Sequence, residues 1–136
     1  MERTLLVVKP GSVSFIPTIV ISLRNAGLWV AEADSMVLTE HEVRRLYPEK
    51  VDEAFFPDIV GYLTSGVSHV WVVEGENAVS IMLSIKGKGN GGGLRGKFAR
   101  DRVRNILHTS ESVEEAKREI GIFFNQEVRG GRREGR

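Results

Sequence analysis

The chain has 136 residues, 41% of them hydrophobic and 27% charged, with 19 basic and 18 acidic side chains, so we expect one soluble domain with a substantial core. It contains no cysteine, which excludes disulfides and thiolate metal sites, and its three histidines are too far apart for a dedicated transition-metal site. The first apolar run, residues 5–8, is too short for a signal peptide or a membrane-spanning helix, so the sequence predicts a cytoplasmic protein without a membrane segment.

Hydrophobic periodicity and turn residues divide the chain into strands and helices. In chain order the predicted elements are a strand over residues 4–8, a helix over 17–26, a strand over 28–37, a short helix opened by Thr39 and Glu42 that ends near Pro48, a helix over 55–63, a strand over 67–73, a helix over 76–85, a strand over 105–107 and a helix over 113–124. This order reduces to βαββαβ with added helices. The predicted fold class is therefore α+β, ferredoxin-like, with a four-stranded antiparallel sheet covered by helices on one face.

Residues 1–128 are expected to form this single domain. Residues 129–136 are basic and contain no apolar side chain, so we expect a disordered tail.

A lone histidine, His108, follows an apolar pair and comes shortly before a predicted helix. Ser112 is a good N-cap and Glu115 completes an S-x-x-E capping box, so we expect His108 at the positive end of the helix dipole, where anions bind. Glu119 lies on the same helical stripe as Glu115 and could orient the imidazole by bonding one ring nitrogen, which leaves the other free to attack. The alternative is a strand-end histidine with a satisfied hydrogen bond and no catalytic role.

Residues 86–104 form a glycine-rich basic segment with six glycines, seven lysines or arginines and one acid, Asp101. Positive potential is concentrated here, because the rest of the chain is net negative, and a polyanion is the natural partner. Glycine lets backbone N–H groups approach phosphate closely, while arginine supplies paired hydrogen bonds. The alternatives are a solvated linker and an RNA-binding segment of interleaved glycine and arginine, for which only Phe98 is available to stack on bases.

Several short motifs are similar to those of one known family. They are Lys9-Pro10 after the strand TLLVV, Tyr47 eight residues before Phe55-Phe56, the runs YLTSG, EGENA and LRGKF, and NILHTSES around His108. With these motifs the chain resembles nucleoside diphosphate kinases from residue 2 to about residue 124. The resemblance implies a ferredoxin-like domain, assembly into a homo-oligomer (tetramer or hexamer), and transfer of the γ-phosphate of a nucleoside triphosphate to a nucleoside diphosphate through phosphorylated His108.

The same resemblance implies a role for each residue that matches the family's motifs. His108 would carry the phosphate, Glu119 would bond to it and Ser110 would support that pair. Lys9 would contact ribose and phosphate, and Tyr47 would help to hold the phosphate in transfer. The residues that would bind the rest of the nucleotide are Phe55 on the base, Arg95 on the phosphates and Asn105 on the ribose. Mg²⁺ would arrive on the nucleotide's own phosphates, so no protein ligand cage is expected.

Two positions depart from the family pattern at phosphate contacts. Leu83 stands where the family has an arginine, and Gly89 where it has a threonine. Losing one charge-assisted hydrogen bond costs about 1.5–3 kcal/mol, which is roughly tenfold to a hundredfold in affinity. The cations that could supply the missing charge are Lys50, Lys86 and Lys88, and Arg102 could stack on the base.

Two hypotheses of different class follow. The first is an active nucleoside diphosphate kinase that uses His108 in a ping-pong route. The second is a catalytically weak or inactive relative that binds nucleotides or nucleic acid, favoured by the two altered contacts and by the arginine and glycine of the loop and tail. The retained trio of Lys9, Tyr47 and His108 favours the first hypothesis.

Overall fold

The computed structural model describes residues 1–87 and 106–124. The elements in chain order are β1 (Glu2–Val8), α1 (Ile16–Asn25), β2 (Trp29–Met36), α2 (Glu40–Leu46), α3 (Phe56–Leu63), β3 (Ser68–Gly75), α4 (Ala78–Lys86), β4 (Leu107–Thr109) and α5 (Val113–Phe124). Short 3₁₀ turns at Val13–Phe15 and Pro48–Lys50 precede α1 and follow α2. The predicted boundary at residue 128 and the tail over 129–136 lie outside the described residues and stay predictions.

Within the described residues, four strands form one antiparallel sheet in the order β2-β3-β1-β4. β1 pairs with β3 on one side and with β4 on the other, so that Val7 is in register with both Val70 and His108. The succession β1-α1-β2-β3-α4-β4 is the ferredoxin-like βαββαβ pattern. The predicted α+β fold class is therefore confirmed.

Helices cover both faces of this sheet. Leu5 and Val7 of β1 pack with α2, α3 and α5, whereas Leu6 and Val8 pack with α1 and α4. Successive side chains of a strand point to opposite faces, so a strand that is buried on both faces is apolar throughout, as TLLVV is from Leu5 onward. The expectation that helices cover only one face is wrong, because α1 and α4 cover one face while α2, α3 and α5 cover the other.

Capping side chains set the beginnings of two helices. The hydroxyl of Thr39 accepts the Glu42 N–H at 3.1 Å, and the Glu42 carboxylate accepts the Thr39 N–H at 3.0 Å, so the predicted capping box of α2 is confirmed. The hydroxyl of Ser112 accepts the Glu115 N–H at 3.0 Å, which confirms Ser112 as a cap of α5. Within the described part of the chain the Glu115 carboxylate makes no return bond, so this second box is only half formed.

Strand β4 lies later in the chain than predicted. It runs over Leu107–Thr109, so His108 is inside the strand and not after it. The prediction was wrong because it ended the strand at the last apolar residue. The two polar residues of the strand, His108 and Thr109, lie on opposite faces of the sheet. His108 faces the helices that pack on Leu5 and Val7, and Thr109 is fully buried on the other face.

Candidate active site

His108 lies at the centre of β4 and faces α5. Its side chain is 11% exposed, and its partner in the sheet, Val7, belongs to the core beneath α2, α3 and α5. The imidazole contacts α5 at Glu119, about two turns into the helix. The expectation that His108 sits at the N-terminal, positive end of this helix stays a prediction, and the contact that the structure shows is with the side of the helix at Glu119.

Glu119 holds the imidazole through one ring nitrogen. Oε1 of Glu119 lies 2.9 Å from His108 Nε2 and accepts the hydroxyl of Ser110 at 2.7 Å. A carboxylate only accepts hydrogen bonds, so Nε2 carries the ring proton and Nδ1 keeps a free lone pair. The carboxylate is 2% exposed, so water does not compete for this bond. The structure thus brings together three of the five residues that were expected at the reacting centre, His108, Glu119 and Ser110.

The protonation states of this pair favour a neutral imidazole beside an ionised carboxylate. Burial is the main cause that lowers the pKa of His108 below its ordinary value of 6.5, the hydrogen bond to Glu119 opposes this shift, and the positive charges of Lys9 and Lys86 add to it. Burial alone would raise the pKa of Glu119, but the hydrogen bonds and charges of its neighbours outweigh burial and lower it. At neutral pH Nδ1 is therefore available as a nucleophile.

Lys9 and Tyr47 flank the histidine. The ring of Tyr47, which follows α2, meets the imidazole edge to face with 5.0 Å between centroids. Lys9, which follows β1, is 5% exposed as a residue, and its ammonium lies 6.0 Å from the centroid of the Tyr47 ring. The Lys9 N–H donates to the Ile106 carbonyl at 3.0 Å, and Gly11, at φ +80°, permits the turn that follows. A buried cation therefore lies next to the nucleophile.

A cavity of about 340 Å³ opens beside His108. It is lined by Leu46, Tyr47, Glu49, Lys50, Lys86, His108, Glu111, Glu115 and Glu119. Lys86, the last residue of α4, is only 5% exposed, so its charge is held inside the protein next to the imidazole. Leu83, which was expected to replace an arginine of the family pattern, lies one helical turn earlier on α4, so the charge of Lys86 lies near the apolar side chain of Leu83.

Three acidic residues of this cavity were not predicted as part of the site. They are Glu49, Glu111 and Glu115. Burial, followed by the negative charges of Glu119, Glu111 and Glu49, raises the pKa of Glu115. The stripe shared by Glu115 and Glu119 was visible in the sequence and could have placed Glu115 here, whereas Glu49 comes from a separate segment and gave no such signal.

The remaining predicted nucleotide contacts are only partly within the described residues. The ring of Phe55 lies 5.9 Å from the ammonium of Lys50 and packs against the core, but Phe55 does not line the His108 cavity. Lys88, Arg95, Arg102 and Asn105, together with Gly89, lie outside the described residues.

No metal cage or membrane helix is found in the described ranges. Among residues 1–87 and 106–124, no group of three or more histidine, aspartate or glutamate side chains is arranged to hold a metal ion. No helix in the same ranges combines the length and the apolar surface that crossing a bilayer requires.

The described fold is similar to that of proteins of one known family. The family model described as nucleoside diphosphate kinase matches residues 2–128. The chain belongs to the nucleoside diphosphate kinase family. A relative named nucleoside diphosphate kinase from Methanococcoides burtonii is 38% identical over 133 residues, covering 93% of this chain and 89% of that relative. Another of the same name, from Methanosarcina barkeri, is 38% identical over 131 residues, covering 91% of this chain and 88% of the relative.

Solved structures give the same family. The crystal structure of nucleoside diphosphate kinase from Encephalitozoon cuniculi matches with a TM-score of 0.87 and 28% identity, covering 94% of this chain and 92% of that one. The Aquifex aeolicus nucleoside diphosphate kinase matches with a TM-score of 0.82 and 26% identity, covering 90% and 94%. This member of the nucleoside diphosphate kinase family therefore has the fold of the solved structures.

Proposed function

We propose that this chain transfers the γ-phosphate of a nucleoside triphosphate to a nucleoside diphosphate, with Nδ1 of His108 as the intermediate phosphate carrier. As a member of the nucleoside diphosphate kinase family, the chain is a phosphotransferase of nucleotide metabolism. The observation that carries the histidine's role is the bond from His108 Nε2 to buried Glu119, because it leaves Nδ1 unprotonated beside an open cavity.

The reaction has two half-steps. In the first, the Nδ1 lone pair attacks the γ-phosphorus, the bond to the β–γ bridging oxygen breaks, and the nucleoside diphosphate leaves with that electron pair. In the second, a β-phosphate oxygen of the acceptor attacks the phosphohistidine and the electron pair of the P–N bond returns to Nδ1. No net proton transfer is needed, and ionised Glu119 stabilises the positive charge that the ring gains on phosphorylation.

The cations around His108 suit the transferred group. Phosphoryl transfer depends on in-line placement and on neutralising charge at the phosphate oxygens. Lys9 and Lys86 both act on His108 electrostatically and are buried, so their charges are little screened. Tyr47, edge to face with the imidazole, would hold the phosphate in transfer, and Ser110 would keep Glu119 in place through its hydrogen bond.

The nucleotide would bind as its magnesium complex. The carboxylates in the cavity, Glu49, Glu111 and Glu115, repel an unneutralised polyphosphate, whereas Mg²⁺ on the phosphates lowers that negative charge. We further propose Phe55 as the base-stacking residue, with Lys50 beside it. The contacts that we propose beyond the described residues are Arg95 and Lys88 on phosphate, Asn105 on ribose and Arg102 on the base.

Assembly and location are also proposals. In the described residues β2 is an edge strand that pairs with β3 alone, and it exposes Trp29 and Val30. Exposed edges with apolar side chains favour association, which supports a homo-oligomer, tetrameric or hexameric. A cytoplasmic location suits a chain without cysteine.

Incubation with ATP carrying a γ-phosphate label tests the proposed reaction. We expect an acid-labile, base-stable phosphoenzyme in the wild type, transfer of the label to added GDP, and neither product in His108→Ala. A label that persists in His108→Ala would contradict the proposal. Binding of a single-stranded polynucleotide that disappears between low and moderate salt, without a phosphoenzyme, would instead favour the binding-only alternative, which the described residues do not favour.

A further inference from the structure

Arg118, on α5, contacts both walls of the site at once. One terminal nitrogen of its guanidinium donates to the backbone carbonyl of Arg45, and the other lies 3.4 Å from Oε2 of Glu119. The two acceptors belong to different helices, α2 and α5. A single planar side chain therefore connects these two elements at the edge of the reacting centre.

The contact on α2 falls at the end of the helix that leads into Tyr47. The last four carbonyls of a helix have no partner within the helix, and arginine side chains can satisfy them. Arg45 is the second-last residue of α2, and Tyr47 is the residue that ends the helix and meets His108 edge to face. Arg118 therefore holds the backbone two residues before the tyrosine ring.

The contact on α5 reaches the second oxygen of the orienting carboxylate. Oε1 of Glu119 accepts the bonds from His108 and Ser110, and Arg118 is the partner of Oε2 within the described residues. Because both oxygens of the Glu119 carboxylate have a hydrogen-bond partner, the carboxylate cannot rotate freely about the bond that joins it to the side chain. The plane in which it presents Oε1 to the imidazole is thereby restricted.

We propose that Arg118 is a positioning residue for phosphoryl transfer, which fixes the tyrosine-bearing end of α2 relative to the carboxylate that aims His108. The inference rests on the proposed phosphohistidine route. Arg118 need not touch the nucleotide to act in this way. Effective attack requires the reacting atoms to be held within a narrow range of distance and angle, and small displacements reduce the rate strongly.

If Arg118 only stabilised the fold, its variants would give a different result from the one that the positioning role predicts. The Arg118 side chain is 40% exposed, and ion pairs at such positions contribute little to folding stability. A lysine would keep the positive charge, but its ammonium lacks the planar fork that spans two acceptors. Arg118 variants leave the other charged residues that face the His108 and Glu119 pair, or line the cavity beside it, unsubstituted; they are Lys9, Lys50, Lys86, Glu49, Glu111 and Glu115.

The test compares Arg118→Met and Arg118→Lys with Lys117→Met, which removes the same charge from the neighbouring residue of α5. Single-turnover phosphorylation of His108 by Mg-ATP is measured together with the KM for ATP and the midpoint of thermal unfolding. We expect Arg118→Met to phosphorylate about tenfold more slowly or worse, with KM changed less than about threefold, Arg118→Lys to recover only part of the rate, and Lys117→Met to match the wild type.

A readout independent of catalysis is the ¹⁵N NMR spectrum of the His108 ring. The wild type should show the proton on Nε2, and Arg118→Met a mixture of tautomers or a shifted pKa of His108. A phosphorylation rate in Arg118→Met within twofold of Lys117→Met, with an unchanged tautomer, would overturn the inference while leaving the proposed function intact. A wild type that forms no phosphoenzyme would instead defeat the proposed function, and the ring spectrum would then decide only whether Arg118 affects the tautomer of His108.

Discussion

Glu119 and His108 meet between α5 and β4 with 2.9 Å between Oε1 and Nε2, so a buried carboxylate determines which nitrogen of the imidazole is free. The bond links a residue in the second turn of α5 to the middle of β4, which is an edge strand among the described residues. The consequence is a neutral nucleophile with a fixed orientation.

Glu119→Gln should slow phosphorylation of His108 by about tenfold to a hundredfold, because an amide neither fixes the Nε2–H tautomer nor stabilises a positive ring as well as a carboxylate does. Single-turnover labelling with Mg-ATP measures the rate. Glu114→Gln is the matched control, since Glu114 is an exposed acid on the same helix. Equal rates in the two variants would show that the carboxylate does not act on His108.

The pH dependence follows from the lowered pKa of His108. Phosphoenzyme formation should be constant at neutral pH and fall only below pH 6.5, as Nδ1 becomes protonated. The unfolded chain takes up this proton more readily than the folded one, so the contribution of His108 to stability is complete above pH 6.5 and is lost as the pH falls through the folded pKa. An NMR titration that places the pKa of His108 at or above 6.5 would contradict this account.

Lys86→Met should weaken Mg-nucleotide binding about tenfold or more, because it removes a buried charge from the cavity beside His108. It should also raise the pKa of His108, since Lys86 is one of the charges that lower it. Calorimetric titration with Mg-ADP measures the affinity. Arg24→Met, a change at an exposed position on α1, serves as the control. Unaltered affinity in Lys86→Met would exclude Lys86 from the nucleotide site.

Glu115→Gln should stabilise the protein slightly, by about 1–2 °C in the midpoint of thermal unfolding at pH 7 and low salt. The pKa of Glu115 is raised, so its ionised form is disfavoured in the fold, and stability is lost as the pH rises from the ordinary carboxyl pKa through the folded one. Removing the charge should also strengthen nucleotide binding at low salt, with a smaller gain at high salt. A lower midpoint than that of Glu114→Gln would contradict this prediction.

Trp29→Glu should reduce the mass of the assembly measured by light scattering, because it puts a charge on the exposed edge strand β2. Val113→Glu, at an exposed position on α5, should leave the mass unchanged. If the mass of the assembly fell in Val113→Glu but not in Trp29→Glu, the contact between subunits would not lie at β2.

The sequence alone predicted the order of strands and helices, the α+β fold and the pairing of Glu119 with His108. These features depend on signals that are local in the chain. Periodicity of two or 3.6 residues, capping side chains such as Thr39 and the turn at Lys9-Pro10-Gly11 reflect backbone geometry that each short segment imposes on itself. The family resemblance then assigned roles to side chains at matching positions.

Only the tertiary structure decided how far β4 extends, which acids line the cavity and that Arg118 reaches the carbonyl of Arg45. Each of these is a contact between segments that are distant in sequence, and no pattern within one segment encodes its distance. The burial of Lys86 is of the same kind, because the exposure of a helix-end lysine depends on what packs around it. Local chemistry specifies the elements, whereas close packing of several elements specifies the environment that sets charge, tautomer and reactivity.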